Sequence, residues 1–376
     1  VNHWTRAFMV AVFLAGGVAA GMGLGRVFDP APGAVAAAER PQVSGDLSAF
    51  QDALASVAEA VSPSVVHLMT EVGSQGDLFQ SKGVGSGVVV NADGHIITNH
   101  HVVNSEGLAQ KLRVRLSDGR EYPAKIVGSD SDSDLALIKI EPRGAKLFPI
   151  VFADSGKVRV GHLCLAVGSP FGYSNSVTFG TVSGKHRQAA LAQRYQDFLQ
   201  TDAPINPGNS GGALVNIRGE LIGINAAIIS ETRGSDGVGF AIASNLVKWV
   251  CDQLSKGDHR VHRGYMGVRP IDFDDPGIEQ VREKLLAEVG LKEPRGVFVW
   301  SVEPESPADK AGLRKGDVIL EFDGRPVAGQ NEMFFRVAEV APGTTVTLKT
   351  LREKRERDLK VVMGERPPFD SRIRPR

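Results

Sequence analysis

The chain has 376 residues, enough for two domains and a sizeable core, and its apolar content of 42% is that of an ordinary globular protein. Forty-three Lys and Arg balance 43 Asp and Glu, so there is no electrostatic case for a nucleic-acid partner. Two cysteines, Cys164 and Cys251, are too few for a disulfide framework. They read as free buried thiols, with a single bridge between them left open.

Residues 1–28 read as an N-terminal membrane anchor or signal segment. Ala7–Gly25 carries no charge and lies between Arg6 and Arg26. As a helix it would span roughly 28 Å, close to a hydrocarbon core. Gly17, Gly21 and Gly25 stand four apart, a small-residue face that could pack helices. The alternative is a cleaved signal peptide, with Ala36–Ala38 as the site. Either reading sends the remainder out of the cytoplasm. Residues 29–45, rich in Ala, Pro and Gly, read as a flexible tether.

A first folded unit is expected over 46–257. Leu47, Phe50, Leu54, Val57 and Val61 recur at helical spacing, and Pro63 ends the run. Short strands follow at Ser64–Thr70, Gly87–Val90, His95–Thr98, Leu112–Leu116, Tyr122–Val127 and Leu135–Ile140. Asp93-Gly94 and Asp118-Gly119 supply hairpin turns. The pattern continues through Val160–Val167, Ser176–Ser183 and Ala213–Ala227, the last split by Arg218-Gly219. Many short strands without intervening helices predict barrels or a sandwich. Leu246–Leu254 reads as a closing helix and Lys256–Arg263 as a polar linker. A second unit is expected over 263–364, and 365–376, rich in Pro and Arg, as a disordered tail.

The chemistry concentrates at Gly208-Asn209-Ser210-Gly211-Gly212, His100-His101 and Ser133-Asp134. A serine hydroxyl is a poor nucleophile at neutral pH, so it needs a histidine base and a carboxylate that holds the base's tautomer. Glycines beside the serine free backbone amides to face a developing oxyanion. Gly208-x-Ser210-x-Gly212 also fits the nucleophile elbow of α/β-hydrolases. In those enzymes, however, the acid and the histidine follow the serine. Here a hairpin signal follows, and the order His, Asp, Ser is that of chymotrypsin-type proteases. Chemistry alone does not choose between His100 and His101. A metal site on the histidine pair lacks carboxylate or cysteine partners at ligand spacing, so neither metal nor other cofactor is expected.

Thr98-Asn-His-His101-Val-Val, Ser133-Asp134-Leu-Ala-Leu and Thr201-Asp-Ala-Pro-Ile-Asn-Pro-Gly-Asn-Ser210-Gly-Gly-Ala-Leu resemble the three signature blocks of HtrA/Deg serine proteases. The resemblance covers about 46 to 366. It implies a mainly β fold: a chymotrypsin-like double β-barrel protease domain, then an α+β PDZ domain. It places His101, Asp134 and Ser210 in the triad, with the amides of Gly208, Asn209 and Ser210 as the oxyanion hole. Asp is found immediately before the serine in digestive proteases; Asn209 stands there here, which argues against activation by pro-segment cleavage. The residue six before the nucleophile, Pro204, is expected at the substrate-pocket floor, with Ile205 beside it and the loop from Ile228 to Val238 as a wall. No carboxylate sits there, so small or medium aliphatic residues are preferred over Arg or Lys. Ser183–Leu199 matches the family's sensor loop, with Arg187 as its coupling arginine.

Tyr265-Met266-Gly267-Val268 matches the carboxylate-binding loop of a PDZ domain, which takes C-terminal peptides as an added strand. Ser306–Ile319 matches a second PDZ block, and Asn331–Val340 is expected as the helix flanking the groove. One PDZ unit and a short Glu71–Lys82 segment point to a homotrimer rather than a cage, with Phe50 as an anchor. The implied function is cleavage of misfolded or regulatory proteins on the periplasmic side of the bacterial envelope. The N-terminal segment would anchor the chain to the inner membrane. The competing reading is a PDZ-based chaperone or adaptor with a vestigial protease domain.

Overall fold

The computed structural model describes residues 45–72, 81–104, 111–170, 175–187, 195–228 and 237–366. The apolar stripe from Leu47 to Val61 becomes helix α1, Gly45–Val61. Pro63 then turns the chain into one 3₁₀ turn, Ser62–Ser64, at a position where a missing N–H is tolerated. Leu54, Val57 and Ala58 pack against the core. Leu47 and Phe50, on the same stripe, are exposed.

The first barrel uses β1 (Val65–Val72), β2 (Ser81–Val89), β3 (His95–Thr98), β4 (Lys111–Arg115), β5 (Glu121–Asp130) and β6 (Leu135–Ile140), with a short helix α2 (His100–Val103) after β3. It closes in the order β1-β2-β3-β6-β5-β4. In β4, Leu112 and Val114 point inward while Lys111 and Arg113 face water, the period-two pattern that allows closure. The second barrel uses β7 (Leu163–Gly168), β8 (Ser176–Arg187), β9 (Phe198–Thr201), β10 (Ala213–Asn216), β11 (Leu221–Ile228) and β12 (Gly239–Ala243). It too is closed, in the order β10-β11-β12-β9-β8-β7, so the sandwich alternative does not hold. Val65, Ile97 and Leu137 of the first barrel share one apolar cluster with Val167, Val215 and Phe240 of the second. Helix α3 (Ser244–Leu254) adds Leu246, Val247 and Val250 to that seam.

The polar stretch before the second unit is not wholly a solvated linker. Arg263 at its end is only 5% exposed. It forms a two-pronged ion pair with Asp130 of β5, Nη1–Oδ1 at 2.8 Å and Nη2–Oδ2 at 2.5 Å. The second unit opens on β13 (Gly264–Tyr265) and β14 (Val268–Ile271). Helix α4 (Arg282–Val289) and β15 (Val297–Val302) follow, then α5 (Pro307–Lys310), β16 (Val318–Phe322) and β17 (Arg325–Pro326). The unit ends with α6 (Gln330–Glu339), β18 (Thr345–Arg352), β19 (Arg355–Val362) and β20 (Gly364–Glu365). Its main sheet runs β14-β15-β16-β18-β19, which leaves β14 at one edge. Helix α4 has no counterpart among the sequence expectations; Leu285, Leu286 and Val289 seat it against Phe273 and Phe298. Glu365 and Arg366, assigned to the tail from sequence, are ordered partners: Glu365 pairs with Gly264, and Arg366 N–H bonds to the Arg263 carbonyl.

The expected anchor, the tether through residue 44, most of the Ile228–Val238 loop and the tail beyond Arg366 lie outside the described residues. Among the described residues no helix is long and apolar enough to cross a membrane. Both cysteines are free thiols. Cys164 lies against Thr201 Oγ1 at 3.2 Å, and burial pushes its thiol up to about 11.

Candidate active site

Three short segments at the barrel seam bring the predicted residues together. His101 sits in α2 directly after β3, and Asp134 ends the turn that enters β6. Asp134 has a φ of 57°, a left-handed conformation uncommon for a residue with a side chain. Two donors hold its carbonyl there: the His100 N–H at 3.0 Å and the Asn99 Nδ2 amide at 3.0 Å. The turn thereby presents the carboxylate squarely to His101. The His101 backbone N–H donates to Oδ1 at 3.0 Å, and its ring Nδ1 donates to Oδ2 at 2.8 Å. A proton fixed on Nδ1 leaves Nε2 with its lone pair, the form a general base needs. Asp134 is buried, while the His101 side chain is 45% exposed and so open to substrate.

The structure separates the two histidines that chemistry alone could not, and agrees with the choice of His101 that the resemblance implied. The His100 ring turns away from Asp134: its Nδ1 meets Ser129 Oγ at 2.6 Å, and its Nε2 accepts from Asn104 at 3.1 Å. Burial holds the His100 pKa below its ordinary value, with the nearby carboxylates of Asp134 and Asp130 opposing.

Ser210 precedes β10 on the second barrel. The Ser86 N–H of β2 donates to the Ser210 carbonyl at 2.8 Å, tying the nucleophile loop to the first barrel. Gly211 follows with φ 81°; a Cβ there would lie 2.1 Å from the Ser86 carbonyl oxygen, so only glycine fits this crossing. The Ser210 hydroxyl donates to the Ala226 carbonyl at 3.3 Å. Among the described residues no hydrogen bond joins it to His101. The serine–histidine link is thus open in this conformation, as often happens in unliganded sites.

Asn206–Asn209 forms a tight turn closed by Asn209 N–H to the Asn206 carbonyl at 3.0 Å. This corrects one oxyanion assignment: the Asn209 amide is already used inside the turn. Among the described residues the Gly208 and Ser210 amides donate to no backbone carbonyl. Of the expected pocket residues, Pro204 is exposed and its carbonyl accepts from Thr178 Oγ1 at 2.7 Å. Ile205 is 1% exposed and packed inside the second barrel beside Leu199 and Ala241, so it fills core rather than lining an open pocket. The Ile228 backbone pairs with Gly239 in β11–β12.

Arg187 ends β8 opposite Phe198, its exposed side chain folded back over Gly184. Among the described residues of this segment, Tyr195, which the sequence did not single out, packs on the second unit. Its ring stacks on Phe334 of α6 at 4.6 Å and lies 4.1 Å from the Arg263 guanidinium. Its N–H donates to the Asp132 carbonyl at 2.9 Å, and Arg366 donates to its hydroxyl at 2.5 Å. Asp130, the partner of Arg263, also accepts from the N–H and hydroxyl of Ser133, next to Asp134. A continuous set of contacts therefore runs from α6 to the candidate acid. Tyr195 also lines one groove with Tyr265, Met266, Gly267, Val268 and Met333. Tyr265–Val268, the expected carboxylate loop, forms the rim of this groove beside the open edge of β14. The Met266 and Gly267 carbonyls are tied down by the N–H groups of Ala308 and Glu303, at 2.9 and 2.8 Å.

Comparisons with known proteins find relatives for both units. A trypsin-like peptidase domain model matches residues 85–224, and a PDZ domain model matches residues 264–363. The chain is 42% identical over 283 residues to the periplasmic pH-dependent serine endoprotease DegQ of Escherichia coli (strain K12), covering 75% of this chain and 59% of that protein. The chain thus spans less than two thirds of the length of such curated relatives. Among solved structures, the HtrA-type protease AlgW with a tripeptide is 37% identical, with a TM-score of 0.70, over 84% of this chain and 98% of its own. The serine endoprotease from Yersinia pestis is 33% identical, with a TM-score of 0.59, over 88% of this chain and 100% of its own.

Proposed function

The chain belongs to the HtrA/Deg family of trypsin-like serine proteases, and from that premise we propose that it is a serine endopeptidase regulated through its PDZ domain. The observation that carries this is the His101–Asp134 pair, with Nδ1 bound to the buried carboxylate at 2.8 Å and Nε2 without a partner among the described residues. Ser210 attacks the peptide carbonyl; His101 takes its proton and returns it to the leaving amine. Asp134 stabilises the imidazolium, and the amides of Gly208 and Ser210 receive the oxyanion. The open Ser210–His101 link supports reading this conformation as a resting form.

Substrates are misfolded or regulatory envelope proteins, cut after small or medium aliphatic residues near Pro204. The periplasmic relatives support a periplasmic site of action, with Ala7–Gly25 as inner-membrane anchor. Exposed Leu47 and Phe50 support assembly into a homotrimer through α1. A peptide with an apolar C-terminus adds to β14, its carboxylate held by the amides of the Tyr265–Val268 loop. Solution of AlgW with a tripeptide supports this mode. Tyr195 then relays occupancy of the groove towards Asp134 through Arg263, Asp130 and Ser133, with Arg187 as the coupling arginine of the neighbouring strand.

The test is labelling by a fluorophosphonate probe, mapped by mass spectrometry, together with sequencing of the products of an unfolded protein. Label on Ser210, lost in His101→Ala, and cleavage after Val, Ile or Ala are expected. Ser210→Ala and His101→Ala should each lower kcat about a million-fold, and Asp134→Ala about ten-thousand-fold. No labelling and no cleavage, with peptide binding retained, would instead support a PDZ adaptor with a vestigial protease domain.

A further inference from the structure

Ser86 is fully buried at the seam, and both hydrogen-bonding roles of its hydroxyl are filled. It donates to the Gly208 carbonyl at 2.6 Å and accepts from the Ser169 N–H at 2.8 Å. Its own carbonyl accepts from Thr98 Oγ1 at 2.7 Å, and its N–H donates to the Ser210 carbonyl. On the far side of Ser169, buried His67 Nδ1 donates to the Ser169 carbonyl at 2.5 Å. A polar chain thus runs His67, Ser169, Ser86, Gly208, from the first barrel through the start of the segment after β7 to the nucleophile loop. A burial cost attends every member, so each bond must be made.

What Ser86 grips decides what it does. Pro207 and Gly208 are the central residues of the Asn206–Asn209 turn, and Gly208 has φ 97°. Proline second and a positive-φ glycine third is the type II geometry. In the type I alternative the Pro207–Gly208 peptide is reversed and Gly208 takes a negative φ. That reversal would turn the Gly208 N–H, an oxyanion donor, the other way. A bond to the Gly208 carbonyl holds the neighbouring peptide plane and disfavours the rotation. Pro170 packs on the turn from outside: a Cβ on Gly208 would meet Pro170 Cβ at 2.4 Å. Proline has no N–H to donate, and among the described residues the hydroxyl of Ser86 is the hydrogen-bond donor that holds the Gly208 carbonyl.

Given a Ser210 endopeptidase, on which this inference depends, we propose that Ser86 is a positioning residue that keeps the Gly208 amide aimed at the oxyanion. It touches neither substrate nor the reacting atoms and acts through the Gly208 carbonyl. Its effect belongs to the transition state, since the oxyanion exists only there.

The experiment compares the full chain with its Ser86→Ala and Ser86→Cys variants. A chromogenic peptide with valine at the scissile position gives kcat and KM, and a peptidyl valine boronate serves as tetrahedral probe. Ser86→Ala should lower kcat by about tenfold to a hundredfold, less than loss of an oxyanion donor itself. KM should stay within about twofold, and boronate affinity should fall in step with kcat. Ser86→Cys, a weaker donor of similar size, should recover part of both losses. A structural role alone would move the melting temperature without coupling kcat to boronate affinity. Unchanged kcat in Ser86→Ala, or a loss of kcat with boronate affinity intact, would overturn the proposal. Should Ser86→Ala fail to fold, Ser86→Cys decides by the same two readouts. An inactive wild type that fluorophosphonate does not label would overturn the endopeptidase reading instead, whereas an active wild type with an unimpaired Ser86→Ala would overturn this inference alone.

Discussion

Asp134 and His101 divide the labour of the site by environment. The carboxylate is buried and accepts two hydrogen bonds, both from His101, while the imidazole is half-exposed and, among the described residues, keeps Nε2 without a partner. The adjacent His100 has the opposite character, being pinned by Ser129 and Asn104 with its pKa lowered mainly by burial. The sign of its effect on stability follows. Below the ordinary value of 6.5 the unfolded chain takes up a proton that the folded one resists. The contribution of His100 is therefore present above that pH and is lost as pH falls. His95, lowered by burial and by Lys139, acts in the same sense. Denaturant midpoints measured at about pH 7.5 and 5.5 should fall more steeply for wild type than for His100→Gln, which should keep peptidase activity. Equal slopes would remove His100 from the account. The residue types of the proposed triad were legible in the sequence because each lies in a compact motif. The choice between two neighbouring histidines was not legible from chemistry, since it turns on which ring faces Asp134.

At the scale of elements, strands were legible where side chains alternate between core and water, as in Lys111–Arg115, or where apolar runs are bounded by turns. Three features escaped. Strand β8 continues to Arg187, so part of the expected sensor loop is sheet. Helix α4 has a weak pattern, and what seats it is tertiary contact. The contacts of Tyr195, Arg263 and Ser86 join residues far apart in the chain: Ser86 and Gly208 are 122 apart, Arg263 and Asp130 are 133 apart. No local pattern encodes such pairs. The Tyr195 segment is the element that meets both the PDZ groove and the Asp130–Ser133 turn. Tyr195→Ala removes the stack on Phe334 and the contact with Arg263. Peptide affinity at the groove should change little, while the rate increase on peptide binding should shrink by about fivefold or more, the lower range of allosteric couplings. Fluorescence-polarisation binding and initial rates, run in parallel, check this; full activation in Tyr195→Ala would exclude Tyr195 as the relay.

For the whole molecule, the proposal gives the double barrel the role of a seam that carries the site and the PDZ unit that of a ligand-dependent bias. Arg263, Tyr195 and Arg366 fasten one to the other through a buried ion pair and stacked rings. A peptide can shift activity only through different affinities for the resting and active forms. The serine–histidine link, open here, is the coordinate on which those forms would differ. The most direct test is the initial rate of cleavage of an unfolded protein by wild type and Ser210→Ala, with and without a peptide bearing an apolar free C-terminus. Wild type should cleave, its rate should rise saturably with peptide, and a C-terminally amidated peptide should do little. Ser210→Ala should bind the peptide equally well and cleave nothing. Cleavage by Ser210→Ala at the wild-type rate, or by neither protein under any condition, would contradict the account.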